Sequence, residues 1–193
     1  MFIYDHDFDQ NGIFYWIGTN GRTISDYSNP NAIGLVSVTS SDSNCSLLQL
    51  SDMISHSPHT DDDDNNSHSS KRGFSWVMID LGLFILPTHF TLRYRSDGFS
   101  YWTKTFLFQV SKDGTHFLPC EMALINETNA STATWAIKTN LNENSSGFRF
   151  LRFHQKSSRH PIAIAGFEVY GQVLSAIDIR SSKFYCSRSF VHH

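Results

Sequence analysis

Residues 74–95, FSWVMIDLGLFILPTHFTLRYR, constrain the fold more than any other stretch. WVMIDLG is an apolar run of strand length. After Pro87 a second run alternates strictly, with Phe90, Leu92 and Tyr94 on one face and Thr91, Arg93 and Arg95 on the other. Period-two alternation marks a strand with one face in a core and the other toward water or ligand. Proline has no amide hydrogen for a ladder, so Pro87 is expected to separate two strands around a short apolar turn. The rest of the chain reads as further strands packed around this pair.

Taken in order, residues 13–19 are expected as a first strand ending in a turn at Asn20-Gly21, and residues 34–39 as a second. Leu47, Leu48, Leu50, Met53 and Ile54 recur at helical spacing and predict a short helix. Residues 56–73 are low in complexity and poor in apolar side chains. They cannot bury enough to offset their ordering entropy and are expected as a flexible loop. Strands are expected over 105–111, with Phe106, Phe108 and Val110 facing the core, then over 116–120, 132–138, 148–154 and 162–170. Lys112-Asp113-Gly114-Thr115 reads as a tight turn, and 121–131 and 140–147 as loops. Short strands punctuated by turns predict one all-β domain over 1–173, an antiparallel β-sandwich or jelly roll. Residues 174–193 read as a tail or linker. An aromatic content of 14% agrees, because aromatic side chains favour pleated, half-buried surfaces.

Charge and cysteine usage narrow the class. A net charge of -3 argues against nucleic acid as a partner for the whole surface. Cys45, Cys120 and Cys186 form no framework spacing and are expected as reduced thiols, which places the chain inside the cell, in cytoplasm or nucleus. Sequons at Asn44, Asn65, Asn126, Asn129 and Asn144 point the other way, but a chain rich in Asn and Ser acquires them by chance. The opening MFIYDHDFDQ lacks the basic and apolar regions of a signal peptide, and no apolar run is long enough for a transmembrane segment.

Arg93 and Arg95 share a strand face, with Phe99, Tyr101, Trp102 and Lys104 just beyond. Arginine beside exposed aromatics is the composition of a binding hot spot, suited to an acidic peptide, a phosphate or a stacked sugar ring. The competing structural reading pairs the arginines with strand neighbours such as Glu168 and lets Trp102 cap the core. Asp80, in an otherwise apolar run, is expected to be at least half-buried and held by an arginine or a loop amide. Arg149 and Arg152 lie on opposite faces of one strand, and Trp76 and Trp135 are expected in the core. Asp5, Asp7 and Asp9 alternate, but the rest of an EF-hand loop is missing. Asp61, Asp62, Asp63 and Asp64, with His56, His59 and His68 nearby, are the remaining metal candidates; adjacent acids in a flexible run present no preformed cage, so no metal is expected. Gly-x-Ser-x-Gly, His-Glu-x-x-His, Walker and Gly-x-Gly-x-x-Gly motifs are all absent, so neither enzyme activity nor a cofactor is expected.

In sequence order, WVMIDLG, ILPTHFTLRYR, FLFQVSKDGTHF, TATW, FRFLRF and IAGFEVYG resemble a discoidin-type domain, the C-terminal domain type of coagulation factors V and VIII in the galactose-binding-like superfamily. The resemblance runs from about Asp9 to Gly171. FDQNGIFYWIGTNG with NPNAIGLVSVTSS is similar to the copy embedded in HECT-type ubiquitin ligases and in intracellular BTB-domain proteins. Secreted members carry a cysteine before the first strand and another after the closing VYG. Here Gln172 follows Gly171, in keeping with an intracellular copy. The acidic run is longer than the family's loop. The resemblance implies a non-catalytic module whose loops at one end bind a protein or peptide, in a ubiquitin-ligase or adaptor setting. A glycan or lipid head group, or a purely structural role, is the alternative it leaves open.

Overall fold

The computed structural model describes residues 1–41, 47–56, 75–93, 105–124, 132–137, 146–155 and 164–174. Along them run α1 (Ile13–Gly18), β1 (Ser37–Ser40), α2 (Leu47–Asp52), β2 (Ser75–Arg93), β3 (Thr105–Ser111), β4 (Leu118–Leu124), β5 (Thr132–Ala136), β6 (Phe148–Gln155) and β7 (Gly166–Val173). Every strand pairing is antiparallel.

The central stretch is one strand, not two. β2 runs unbroken through Pro87, and its register slips between Asp80 and Ile85 and again between Pro87 and His89. A bulge is where a ladder tolerates a residue without an amide hydrogen, so Pro87 ends no strand here. Residues 77–80 pair with β1 and 75–80 with β6, whereas residues 85–93 pair with β7 and 89–93 with β5. β2 therefore belongs to two layers, β1-β2-β6-β3-β4 and β5-β2-β7.

Their inner faces meet in an aromatic core. Phe90 of the second layer stacks on Phe108 at 4.3 Å and meets Phe153 edge-on at 5.9 Å, while Phe167 lies 4.8 Å from Phe153. Phe106, Phe108 and Val110 face this core as their alternation requires, together with Val77, Ile79 and Leu151. The architecture is an antiparallel jelly-roll β-sandwich. Trp135 packs against the core and stacks on Phe90 at 5.3 Å, but Trp76 is half-buried on the outer side of the first layer rather than in the core.

Other expectations shift with tertiary context. Residues 13–18 form α1 instead of a strand. β1 starts at Ser37 because Gly34 turns the chain at φ +74°, and β4 continues to Leu124. The turn at 112–115 holds: Gly114 has φ +76°, and the Asp113 carboxylate accepts the amides of Thr115 and His116, both at 2.8 Å.

Register also sorts the strand ends. Ile85 pairs with both Phe148 and Val173, which marks one end of the sandwich. At the other end β2 finishes at Arg93, β3 starts at Thr105, β4 finishes at Leu124, β5 starts at Thr132, β6 finishes at Gln155 and β7 starts at Gly166. The connections 94–104, 125–131 and 156–165 attach there.

Candidate functional site

Arg93 closes β2 at this end, opposite Thr132 and Gly166. Its guanidinium lies 4.0 Å from the centroid of the Phe8 ring, a cation–π contact that leaves Arg93 half-buried rather than facing water. Gly166 makes room for it, since a Cβ there would sit 3.0 Å from both Arg93 Cβ and Phe8 Cζ. His56, just after α2, packs its ring 4.6 Å from Tyr15 and 5.5 Å from Tyr27. Two buried nitrogens, Arg93 Nη1 and His56 Nδ1, have no hydrogen-bond partner among the described residues. Burial, then the charge of Arg93, lowers the pKa of His56, against a smaller opposing pull from Asp9. Burial also lowers the pKa of Arg93 itself. The arrangement leaves a guanidinium nitrogen and an imidazole nitrogen without a partner among the described residues.

Glu168 is not the partner of Arg93. It is 2% exposed on β7, and its carboxylate accepts the amides of Phe14 at 2.9 Å, Tyr15 at 3.1 Å and Val169 at 2.9 Å. The first turn of α1 has a glycine at its N-cap with no side chain to offer, so Glu168 caps it from a distant strand. Gly12 is required for this, because a Cβ would fall 2.0 Å from the Glu168 carboxyl carbon. Burial pushes the Glu168 pKa up to about 8 against the pull of the three amides. Burial and the nearby Glu168 raise the Tyr27 pKa, and its hydroxyl donates to the Ile54 carbonyl.

Asp9 shapes the loop that carries Phe8. Its carboxylate accepts the amides of Asp5, His6 and Asn11, at 2.9, 3.3 and 2.7 Å. Asp5, His6 and Asp9 bring one ligand atom each within 4.8 Å of one another, but both oxygens of Asp9 already serve this loop. Asp7 turns elsewhere, taking hydrogen bonds from Tyr4 at 2.9 Å and Thr134 at 2.6 Å. Burial alone would raise the Asp7 pKa, yet bonds from Thr132, Thr134 and Tyr4 hold it below the usual value.

Of the sequence-derived site, Arg93 alone falls within the described residues. Arg95, Phe99, Tyr101, Trp102 and Lys104 lie outside them, as do Asp61, Asp62, Asp63 and Asp64, the expected loop from residue 57 and the tail from residue 175. Phe8, Tyr15 and Tyr27 carry no sequence signal for this site, and His56 reads in sequence as a neighbour of the acidic run. Asp80 does have both kinds of expected partner: Arg149 donates to it through Nε at 2.6 Å and Nη2 at 2.7 Å, and Gly82 through its amide at 2.9 Å.

No family model matches the chain. Among solved structures, a Streptococcus pneumoniae fucose binding module superposes with a TM-score of 0.54 at 14% identity, covering 70% of this chain and 91% of that one. CpGH89CBM32-5 from Clostridium perfringens, solved in complex with GalNAc-β-1,3-galactose, gives 0.53 at 16% identity, covering 72% and 96%. The chain shares the β-sandwich fold of these two binding modules. The chain is also 32% identical over 187 residues to the E3 ubiquitin-protein ligase Ufd4 of Drosophila melanogaster, covering 92% of this chain and 7% of that protein. With the E3 ubiquitin-protein ligase hecd-1 of Caenorhabditis elegans it shares 30% identity over 182 residues, covering 89% and 6%. The chain thus spans a small fraction of the length of the relatives it matches. Among the described residues, no helix is long and apolar enough to cross a membrane.

Proposed function

We propose that this chain is a discoidin-type, non-catalytic recognition module of an intracellular ubiquitin ligase or adaptor, binding a protein or peptide at its loop-bearing end. The observation that carries the reading is the pair of buried, unpartnered nitrogens, Arg93 Nη1 and His56 Nδ1, at the end where the connections attach. A buried donor without an acceptor is costly, and an acidic group of a ligand removes that cost. Arg93, Arg95, Phe99, Tyr101, Trp102 and Lys104 are the proposed contacts. The likeness to segments of two ubiquitin ligases supports the setting. A threonine, a histidine and an aspartate do meet at the 112–116 turn. Thr115 Oγ1 and Asp113 both contact His116 Nδ1, however, so no proton relay passes through the ring.

Glycan binding is the second reading. It is favoured by the fold shared with the fucose binding module and with the GalNAc-β-1,3-galactose complex. Sugar hydroxyls also accept from a guanidinium, and aromatic rings such as Tyr15 supply a stacking surface. One experiment separates the readings: affinity capture with mass spectrometry from native cells, run beside a glycan array. The intact domain would be compared with a folded Arg95→Glu, Trp102→Ala double variant and with Arg93→Gln. Loss of a discrete set of proteins from the variants supports peptide recognition. Unchanged protein capture overturns the site, and array binding that the variants abolish replaces the peptide reading with the glycan one.

A further inference from the structure

The two layers of the sandwich are finished differently on their outer faces. Residues 2–18 lie over the second layer: Phe2 bridges to Gly171, Tyr4 packs edge-on against Tyr170 at 5.2 Å, and α1 packs on β7. Nothing among the described residues covers the first layer in this way. Its outer surface follows from register, which places Arg152 between Met78 and Gln109, and His154 between Trp76 and Leu107. Trp76, Met78, Leu107 and Phe150 are all half-buried there.

Arg152 lies across the middle of this face. Its guanidinium sits 3.6 Å from the centroid of the Phe117 ring, and its Nε donates to Gln109 Oε1 at 2.9 Å. Both partners are neutral. The neighbouring Arg149, by contrast, has its charge matched by Asp80 through two short hydrogen bonds. Among the described residues, no carboxylate lies within ion-pair distance of Arg152. A guanidinium stays charged at any physiological pH, and stacking on an aromatic ring holds its fork in place at little further entropic cost.

We propose that this face docks an acidic segment of a partner protein, whose carboxylate meets the Arg152 fork end-on while flanking apolar side chains settle on Met78, Leu107 and Phe117. The charge chooses the occupant: a half-apolar surface with one fixed, unmatched cation is complementary to a carboxylate set among apolar residues. The surface lies on the flat of the first layer and shares no residue with the loop-bearing end.

The test uses the purified chain and short fluorescent peptides that carry Asp or Glu between apolar residues, with the same peptides bearing Asn or Gln as controls. Acidic peptides are expected to bind, with affinity falling as salt is raised. The amide versions should bind about tenfold more weakly, and Arg152→Gln should cost the acidic peptides about the same factor. Met78→Glu keeps Arg152 and sets a competing carboxylate beside it; it should weaken binding too, in a variant whose circular dichroism and melting match the parent. Arg22→Gln, which removes an exposed cation elsewhere on the surface, should leave this binding unchanged. Equal binding of acid and amide peptides, no binding at all, or indifference to both Arg152→Gln and Met78→Glu overturns the proposal. Loss through Arg93→Gln alone also overturns it, and assigns the peptide to the loop-bearing end.

Discussion

Thr91 and Arg152 both point outward from central strands of their layers, yet they meet opposite fates. Thr91 is fully buried and shares a 2.6 Å hydrogen bond with Thr134, which donates at 2.6 Å to Asp7, itself bonded to Tyr4. Arg152 remains half-exposed, propped on Phe117 with its charge unmatched among the described residues. The strands themselves do not differ in kind; what differs is that residues 2–18 fold over one layer and not the other. A polar strand face becomes part of the interior when the chain supplies a cover with matching hydrogen-bonding groups. Where none of the described residues covers it, the same kind of face stays half-exposed.

The comparison breaks most easily at the Glu168 cap. Gly12→Ala drives a methyl group into the Glu168 carboxyl. It should cost about 3 kcal/mol in urea unfolding, the upper part of the range for overpacking. A loss below about 1 kcal/mol would mean that the cover over the second layer is not held by this cap. The same carboxyl makes stability depend on pH. Its folded pKa is raised from 4.5 to about 8, so the folded state holds a proton that the unfolded chain releases across that interval. The contribution is fully present below 4.5 and is lost as pH rises through about 8. Melting temperature should therefore fall across this window, and Glu168→Gln should flatten that fall. A slope unchanged in Glu168→Gln would assign the effect to other groups.

A smaller effect is expected at Asp7. Asp7→Ala strands the hydroxyls of Tyr4 and Thr134 beneath the cover, at a cost of about 2 kcal/mol by the same urea measurement. Hydrogen exchange should quicken first along β5. The smallest change belongs to the first layer's outer face: Met78→Thr should shift stability by less than about 0.5 kcal/mol, because that half-buried side chain has no cover among the described residues. A large loss there, seen as a drop in the urea midpoint, would show that the first layer is covered after all.

Much of the sandwich was legible from local pattern. The alternation of Phe106, Phe108 and Val110 placed β3 and its inward face, and the Asp113-Gly114 turn followed from glycine's access to positive φ. Asp80 announced its need for a partner because a carboxylate in an apolar run must be paired. Which arginine would answer was not legible, since Arg149 lies 69 positions away. The alternation around Arg93 was also real, but alternation says nothing of Phe8, which folds in from the N-terminal loop to cover the guanidinium.

The sequence by itself determined where strands and turns form, because side-chain alternation and glycine or proline geometry act between residues adjacent in the chain. The tertiary structure alone decided that IFYWIG is a helix, that β2 runs through Pro87 into a second layer, and that Glu168 caps α1 instead of pairing with Arg93. Each of those outcomes depends on a partner that only folding brings near: a carboxylate 154 residues from the amide it accepts, a bulge opposite Gly171, a covering loop. Hydrogen-bonding groups removed from water take whichever partner the fold places within reach, and reach in space is not written in local order.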